Sequence, residues 1–443
     1  MVGMIGLIGS LILLMVLTMR GVNIIIGAII SSVVAAITGG INLEVALTEH
    51  YMTGFTGYFA NWFLIFLLGA IFGKIMQGTK AADSIAKWVT SKLGPKRAVF
   101  AVVAAAAIMT YGGVSLFVVG FSVYPIAVSL FRIANLPHRF IPAALVFGSI
   151  SFTMTAPGSP EIQNLIPTQF FGTKPTAGGL IGVAMALIIM CVGGWYLGRM
   201  VRKATENGEV FSLPSEAKKK ESEKETSETN AGKVKNEELP SIILAILPLV
   251  AVIAILNIMA NYMTSTAAAL ISLTSGIFLA SVLMAKYLKE FWEALAKGAQ
   301  DALVAAANTC AVVGFGSVAA QVNAFDNVVD ALVNIPGPPM LGLAIAVTLI
   351  CGITGSASGG LGIALPILAP IYMAQGLDPG AMHRVSALAS GGLDSLPHNG
   401  YVVTTIRAIS GETHKRSYKP IFILSVIIPT IVMFLAVILY SIF

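Results

Sequence analysis

The chain has 443 residues, 56% of them hydrophobic and only 11% charged, with a mean hydropathy of +0.86. A soluble protein carries roughly 25% charged residues, so an ordinary globular enzyme and a nucleic-acid-binding domain are both excluded. The formal net charge of +6 is then a matter of membrane topology. Runs of about 20 apolar residues recur along the chain, the pattern of an all-α polytopic membrane protein.

In chain order, full spans are predicted at 2–19, 22–39, 61–78, 177–198, 240–258, 264–285, 301–322 and 420–442. The first has no Lys or Arg before it and Arg20 after it. That charge order is wrong for a cleaved signal and right for a first span. Residues 79–93 and 287–300 read as amphipathic interfacial helices, arms or hinges between a moving and a fixed part. The apolar regions 98–131 and 338–375 are interrupted by TYGGVS (110–115) and TGSASGG (354–360), and read as re-entrant hairpins. The regions 140–172 and 385–409 are interrupted by TAPGSP (155–160) and GGLDSLPHNGY (391–401), and read as discontinuous transmembrane helices. Residues 201–238, with AKKKESEKETSETN and no aromatic after Phe211, form a solvated linker. The expected organisation is a first membrane repeat at 1–200, a cytoplasmic linker at 201–238 and a second membrane repeat at 239–443. Cys191, Cys310 and Cys351 stand singly in apolar runs without metal spacing; neither a disulfide framework, a metal nor another cofactor is expected.

The positive-inside rule orients the chain. With Arg20 and the linker in the cytoplasm, all of the 27 basic residues except Lys174 and Arg384 fall inside, and both termini fall outside. Each half then crosses the membrane an odd number of times, which inverts the second half relative to the first. The landmarks agree. Pro125 precedes His138-Arg139 by the same interval as Pro370 precedes His383-Arg384, and Pro157 answers Pro397 further along. Inverted repeats with paired broken helices are a transporter architecture, with the substrate site at the midplane between the repeats.

The interruptions are where the chemistry belongs. Backbone groups freed by a Pro or Gly break at membrane depth have to be satisfied by a cavity, water or solute. The N-terminus of a half-helix presents unpaired N–H groups and partial positive charge, suited to a carboxylate. The expected substrate-binding residues are Tyr111, Gly112, Gly113 and Ser115 on the first hairpin; Gly158 and Ser159 on the first break; Thr354, Gly355, Ser356, Ser358 and Gly359 on the second hairpin; and Asn399 on the second break. Ionisable residues at that depth are costly and therefore functional candidates. Asp394 and His398, four apart, are the expected proton-coupling pair, with Glu161 as a further proton carrier. His138 and His383, each followed by Arg at a helix boundary, read as interfacial anchors; His50 and His414 read as loop residues.

The run from Gly392 through Asp394, Pro397, His398, Asn399 and Gly400 to Thr404, followed by Gly411, Glu412, Thr413, His414, Ser417 and Tyr418, resembles the C-terminal signature of the gluconate permease (gluconate:proton symporter) family. It is most similar to the branch of 3-hydroxybutyrate or short-chain hydroxy-acid permeases. The resemblance implies an ion-transporter-superfamily fold, a homodimer of scaffold and moving transport parts in the bacterial inner membrane, and import of a small organic anion with protons. Sugar-acid members carry a serine-histidine-valine-asparagine type of run at this break; SLPHNG differs, which favours a smaller, less hydroxylated acid than gluconate. The expected function is therefore proton symport of a small monocarboxylate, 3-hydroxybutyrate first, by alternating access of elevator type. The rivals are gluconate or another small carboxylate as substrate, sodium coupling through carbonyls of 354–360, a passive channel, and an intramembrane protease using Asp394 with Glu161.

Overall fold

The computed structural model describes residues 2–20, 22–94, 97–214, 238–333 and 335–442. Among them the helices fall into two successive sets of nine. The first set is α1 (Val2–Met19), α2 (Ile24–Gly39), α3 (Leu43–Gly78), α4 (Ala81–Leu93), α5 (Ala98–Tyr111), α6 (Leu116–Ile133), α7 (Ile141–Val146, continued by a π-helical turn Phe147–Ser151), α8 (Ile162–Phe171) and α9 (Gly179–Glu206). The second is α10 (Ile242–Met259), α11 (Ser265–Leu283), α12 (Phe291–Ala319), α13 (Ala324–Val333), α14 (Pro339–Thr354), α15 (Ala357–Ala374), α16 (Pro379–Ser390), α17 (Gly400–Val403, continued by a π-helical turn Thr404–Ile409) and α18 (His414–Ile442). Long, short and broken members recur in the same order in both sets.

Short polar loops start and stop these apolar helices. Asn23, Ser241, Thr264 and Asp378 each accept a hydrogen bond from a first-turn amide, and Gly40 closes α2 at φ 72°. Caps of this kind satisfy amides that the helix itself leaves open.

Two long helices, α3 and α12, pack along each other antiparallel. Small residues bring their backbones together: a Cβ at Gly54 would lie 2.6 Å from Ser317 Cβ, and one at Gly298 2.8 Å from Ile71 Cα. Close approach through small residues is the usual way membrane helices associate without a hydrophobic driving force. With 36 residues, α3 is about 54 Å long, so it tilts within or projects beyond a hydrocarbon core of roughly 30 Å.

The hairpins form as helix pairs, α5–α6 and α14–α15, with tips at 112–115 and 355–356. Their first limbs, 14 and 16 residues, reach only about 21 and 24 Å, short of a full crossing, whereas their second limbs, α6 and α15, are long and apolar enough to span. The broken helices are α7–α8, interrupted at 152–161, and α16–α17, interrupted at 391–399. Three expectations shift. The predicted span 61–78 begins at Leu43, because no proline interrupts 43–60 and the helix continues through it despite Glu44, Glu49 and His50. The helix at the end of the first half runs to Glu206, beyond the boundary at 200; most of the linker, 215–237, lies outside the described residues. The second amphipathic arm is not 287–300. From Phe291 that stretch is the first part of α12, and the short amphipathic helix in the place equivalent to α4 is α13.

Candidate functional site

Each hairpin tip sits on the break of its own half. Tyr111 ends α5 and donates to the carbonyl of Pro157 at 2.8 Å. Gly113, at φ 89°, lies where a Cβ would come within 3.1 Å of Pro160 Cγ. Gly112 packs on α10, with Leu249 Cγ 2.6 Å from its Cβ position, so its bareness serves close packing. Ser115 stands at the N-cap of α6 without making a side-chain cap. Within the break, Gly158 (φ 80°) donates to Pro175 O at 2.8 Å and accepts from Asn257 Nδ2 at 3.0 Å. Buried Ser159 accepts from the Glu161 amide at 3.2 Å. Glu161 is at the N-cap of α8, partly exposed, and its carboxylate caps no amide.

In the second half, Gly355 (φ 62°) closes α14, with His398 Nε2 2.7 Å from its Cβ position. Asn399 bridges break and tip. Its Oδ1 accepts from the Val402 amide at 2.9 Å, capping α17, and its Nδ2 donates to Gly355 O at 3.2 Å. Ser356 caps α15 through the Gly359 amide at 3.1 Å, and Thr354 donates to Ser356 O at 3.1 Å. Ser358 and Gly359 are buried, and Tyr58 of α3 donates to Ser358 O at 3.3 Å. Asp394 is buried and accepts from Ser395 Oγ at 2.9 Å. Asn399→Ala removes a cap and the tie to the tip together. It is expected to cost about 1 kcal/mol through the cap alone, read as a fall in the melting temperature of the purified protein.

The two halves meet through their broken helices. Tyr401 donates to Ser149 Oγ at 3.2 Å, and the Cβ position of Gly391 lies 3.0 Å from Thr155 Cγ2. At one end, His138 Nδ1 meets Glu412 Oε1 at 2.9 Å. At the other, His383 Nδ1 meets Thr173 Oγ1 at 2.6 Å, while its Nε2 lies 3.1 Å from Asn164 Oδ1. The start of each broken helix is thus bonded to the end of the other. Both histidines are buried, which corrects their reading as interfacial anchors: the opposite half covers them.

Arg384 is corrected likewise. Counted as an outside loop residue, it is in fact fully buried against the first break. It donates to the carbonyls of Thr155, of Pro175 at 3.2 Å, and of Ala177 at 2.8 and 3.1 Å. Among the described residues no carboxylate forms an ion pair with it. Its signal in the sequence was its place as one of two exceptions to the positive-inside count. Asn257, also missed, was legible as a lone amide in an apolar span. A recess of ≈ 800 Å³ opens at the charged loops, where Lys286 pairs with Glu238 and Lys297 with Glu293.

An all-helical protein with eight helices long and apolar enough to span a membrane among its described residues, and two broken helices meeting under two hairpin tips, has the construction of a membrane transporter, not of an enzyme. The chain belongs to the GntP family of permeases, whose family model matches residues 1–439. It is 35% identical over 464 residues to the "uncharacterized transporter YxjC" of Bacillus subtilis (strain 168), covering 97% of both chains. Its fold is similar to that of the YdaH transporter of Alcanivorax borkumensis, described as having an unusual topology (TM-score 0.53, 16% identity, 89% of this chain and 87% of that one). It is also similar to that of MtrF of Neisseria gonorrhoeae, described among antimetabolite efflux pumps (TM-score 0.51, 13% identity, 90% and 84%).

Proposed function

We propose that the protein is a proton symporter of a small organic monocarboxylate, 3-hydroxybutyrate first, in which the two halves are inverted repeats and divide the work. The observation that carries the reading is Arg384, a buried guanidinium held on carbonyls beside the first break. A charge at that depth is costly unless an opposite charge accompanies it during function. The same break leaves the first turns of α6 and α8 without a side-chain cap, whereas Ser356 and Asn399 fill those places in the second half. The open amides of the first half, with the Arg384 guanidinium that α16 of the second half places against them, therefore suit a carboxylate. Glu161, at the mouth of α8, competes with an anion for the same field unless it holds a proton, which ties anion binding to protonation. Asp394 and His398 in the second break supply the remaining proton-carrying groups.

The purified protein in proteoliposomes is expected to accumulate 3-hydroxybutyrate under an inward proton gradient, and gluconate less well. Asp394→Asn is expected to abolish accumulation while leaving counterflow exchange. Accumulation driven by sodium at fixed pH, or proton-driven uptake undiminished in Asp394→Asn, would overturn the coupling assignment. Absence of 3-hydroxybutyrate uptake would overturn the substrate.

A further inference from the structure

One polar cluster has no part in the site just described. His138 Nδ1 lies 2.9 Å from Glu412 Oε1, and both side chains are 0% exposed. Tyr124 of α6 completes it: its hydroxyl is 3.0 Å from His138 Nε2 and 3.3 Å from the carbonyl of Ser410. The cluster therefore joins the first hairpin, the start of the first broken helix and the segment that follows the second. The other Glu412 oxygen is buried without a hydrogen bond, and Arg416 Nη1 stands 3.7 Å away on a side chain that is 49% exposed.

We propose that His138 and Glu412, with Tyr124, form a binding site for one exchangeable proton, separate from Asp394, His398 and Glu161. With one proton the pair is neutral overall, whether the proton sits on the carboxylate or the imidazole. Without it a bare carboxylate is left in a closed interior, a costly state that needs a cation. Arg416 is placed to supply one by closing from 3.7 Å onto Glu412 Oε2, so release of the proton draws Arg416 inward and its return lets Arg416 go. The charges facing the cluster are consistent with this exchange. Arg139, on the same turn as His138, is taken by Glu209 at 2.7 Å through two hydrogen bonds, and those bonds hold the Glu209 carboxyl below its usual range. Arg132 of α6 lies over the Phe211 ring at 5.4 Å, and that ring packs on His138. Of these cations, Arg416 is the one at ion-pair distance from Glu412.

The corresponding histidine of the second half sharpens the assignment. His383 occupies the equivalent place, but its partners are the Thr173 hydroxyl and the Asn164 amide, neither of which titrates. The same junction is thus built twice and made proton-binding once, on the side of Glu209 and the linker.

The test needs no substrate: the melting temperature of the purified full chain is measured against pH for wild type, Glu412→Gln, His138→Gln and the double variant. Each single variant is expected to remove the same pH-dependent component, and the double variant to remove no more, because one proton is shared. Equal lowering of the melting temperature at every pH would mean a structural hydrogen bond only and would overturn the proposal. Should Glu412→Gln not fold, Tyr124→Phe keeps the ring and removes one partner. Side-chain nitrogen NMR of the histidines is then expected to show one titration that this variant shifts. Five curves unshifted by the variant would sink it.

Discussion

Arg384→Met is expected to abolish accumulation and to destabilise the protein more than any other single change considered. The guanidinium donates to three carbonyls from two segments, Thr155 in the first break and Pro175 and Ala177 in the loop before α9. Methionine fills much of the volume but leaves those acceptors buried and unpaired, at about 1–3 kcal/mol for each. Arg384→Lys keeps the charge and loses the planar fork, since an ammonium cannot span three acceptors as a guanidinium does. Its melting temperature is expected between those of wild type and Arg384→Met. The lysine variant also separates two roles. If the charge serves an anion, lysine retains uptake with a raised KM, while Arg384→Met, even where it folds, retains none. Normal uptake by a folded methionine variant would remove Arg384 from the binding site.

The second large effect is expected at Gly355. With φ 62° it lies in the left-handed region, where a side chain costs about 1–2 kcal/mol. Its Cβ position is also only 2.7 Å from His398 Nε2, an overlap worth about 1–3 kcal/mol more unless the imidazole moves. Moving it relieves the clash but displaces His398 and strains the Asn399 bond to Gly355 O. Gly355→Ala is therefore expected to fold with reduced stability and to lose uptake by at least about tenfold, the equivalent of 1.4 kcal/mol. Gly376→Ala is the control: φ is 75°, with nothing within 4 Å of its Cβ position. It is expected to carry the conformational cost alone and to transport normally. Equal uptake by the two variants would show that contact with His398 does not matter.

The architecture was legible because its punctuation is chemical. Glycines and prolines mark the hairpin tips at 112–115 and 355–356 and the breaks at 152–161 and 391–399, and no apolar run hides them. What was not legible is what only the partner half creates. His138 and His383 each precede an arginine at a helix boundary, a local pattern indistinguishable from an interfacial anchor. Their burial depends on Glu412, 274 residues away, and on Thr173, 210 away. Arg384 was misplaced for the same reason. The second amphipathic arm was misread because Glu293 and Lys297 decorate the first turns of a long helix whose apolar continuation begins without a break.

The reciprocal bonding of the broken helices has a mechanical consequence. His138 to Glu412 at one end and His383 to Thr173 at the other close a loop of contacts around the pair. The two cannot slide along each other or splay apart without rupturing bonds at both ends in the same event. Under the alternating access proposed above, displacement of the site would carry both as one rigid load. The compliance then belongs in the joints to the α3–α12 pair. One is the turn at Lys80, whose non-glycine backbone sits at φ 60°; the other is the short segment between α12 and α13. Tightening either joint is expected to slow transport while leaving the loaded site intact.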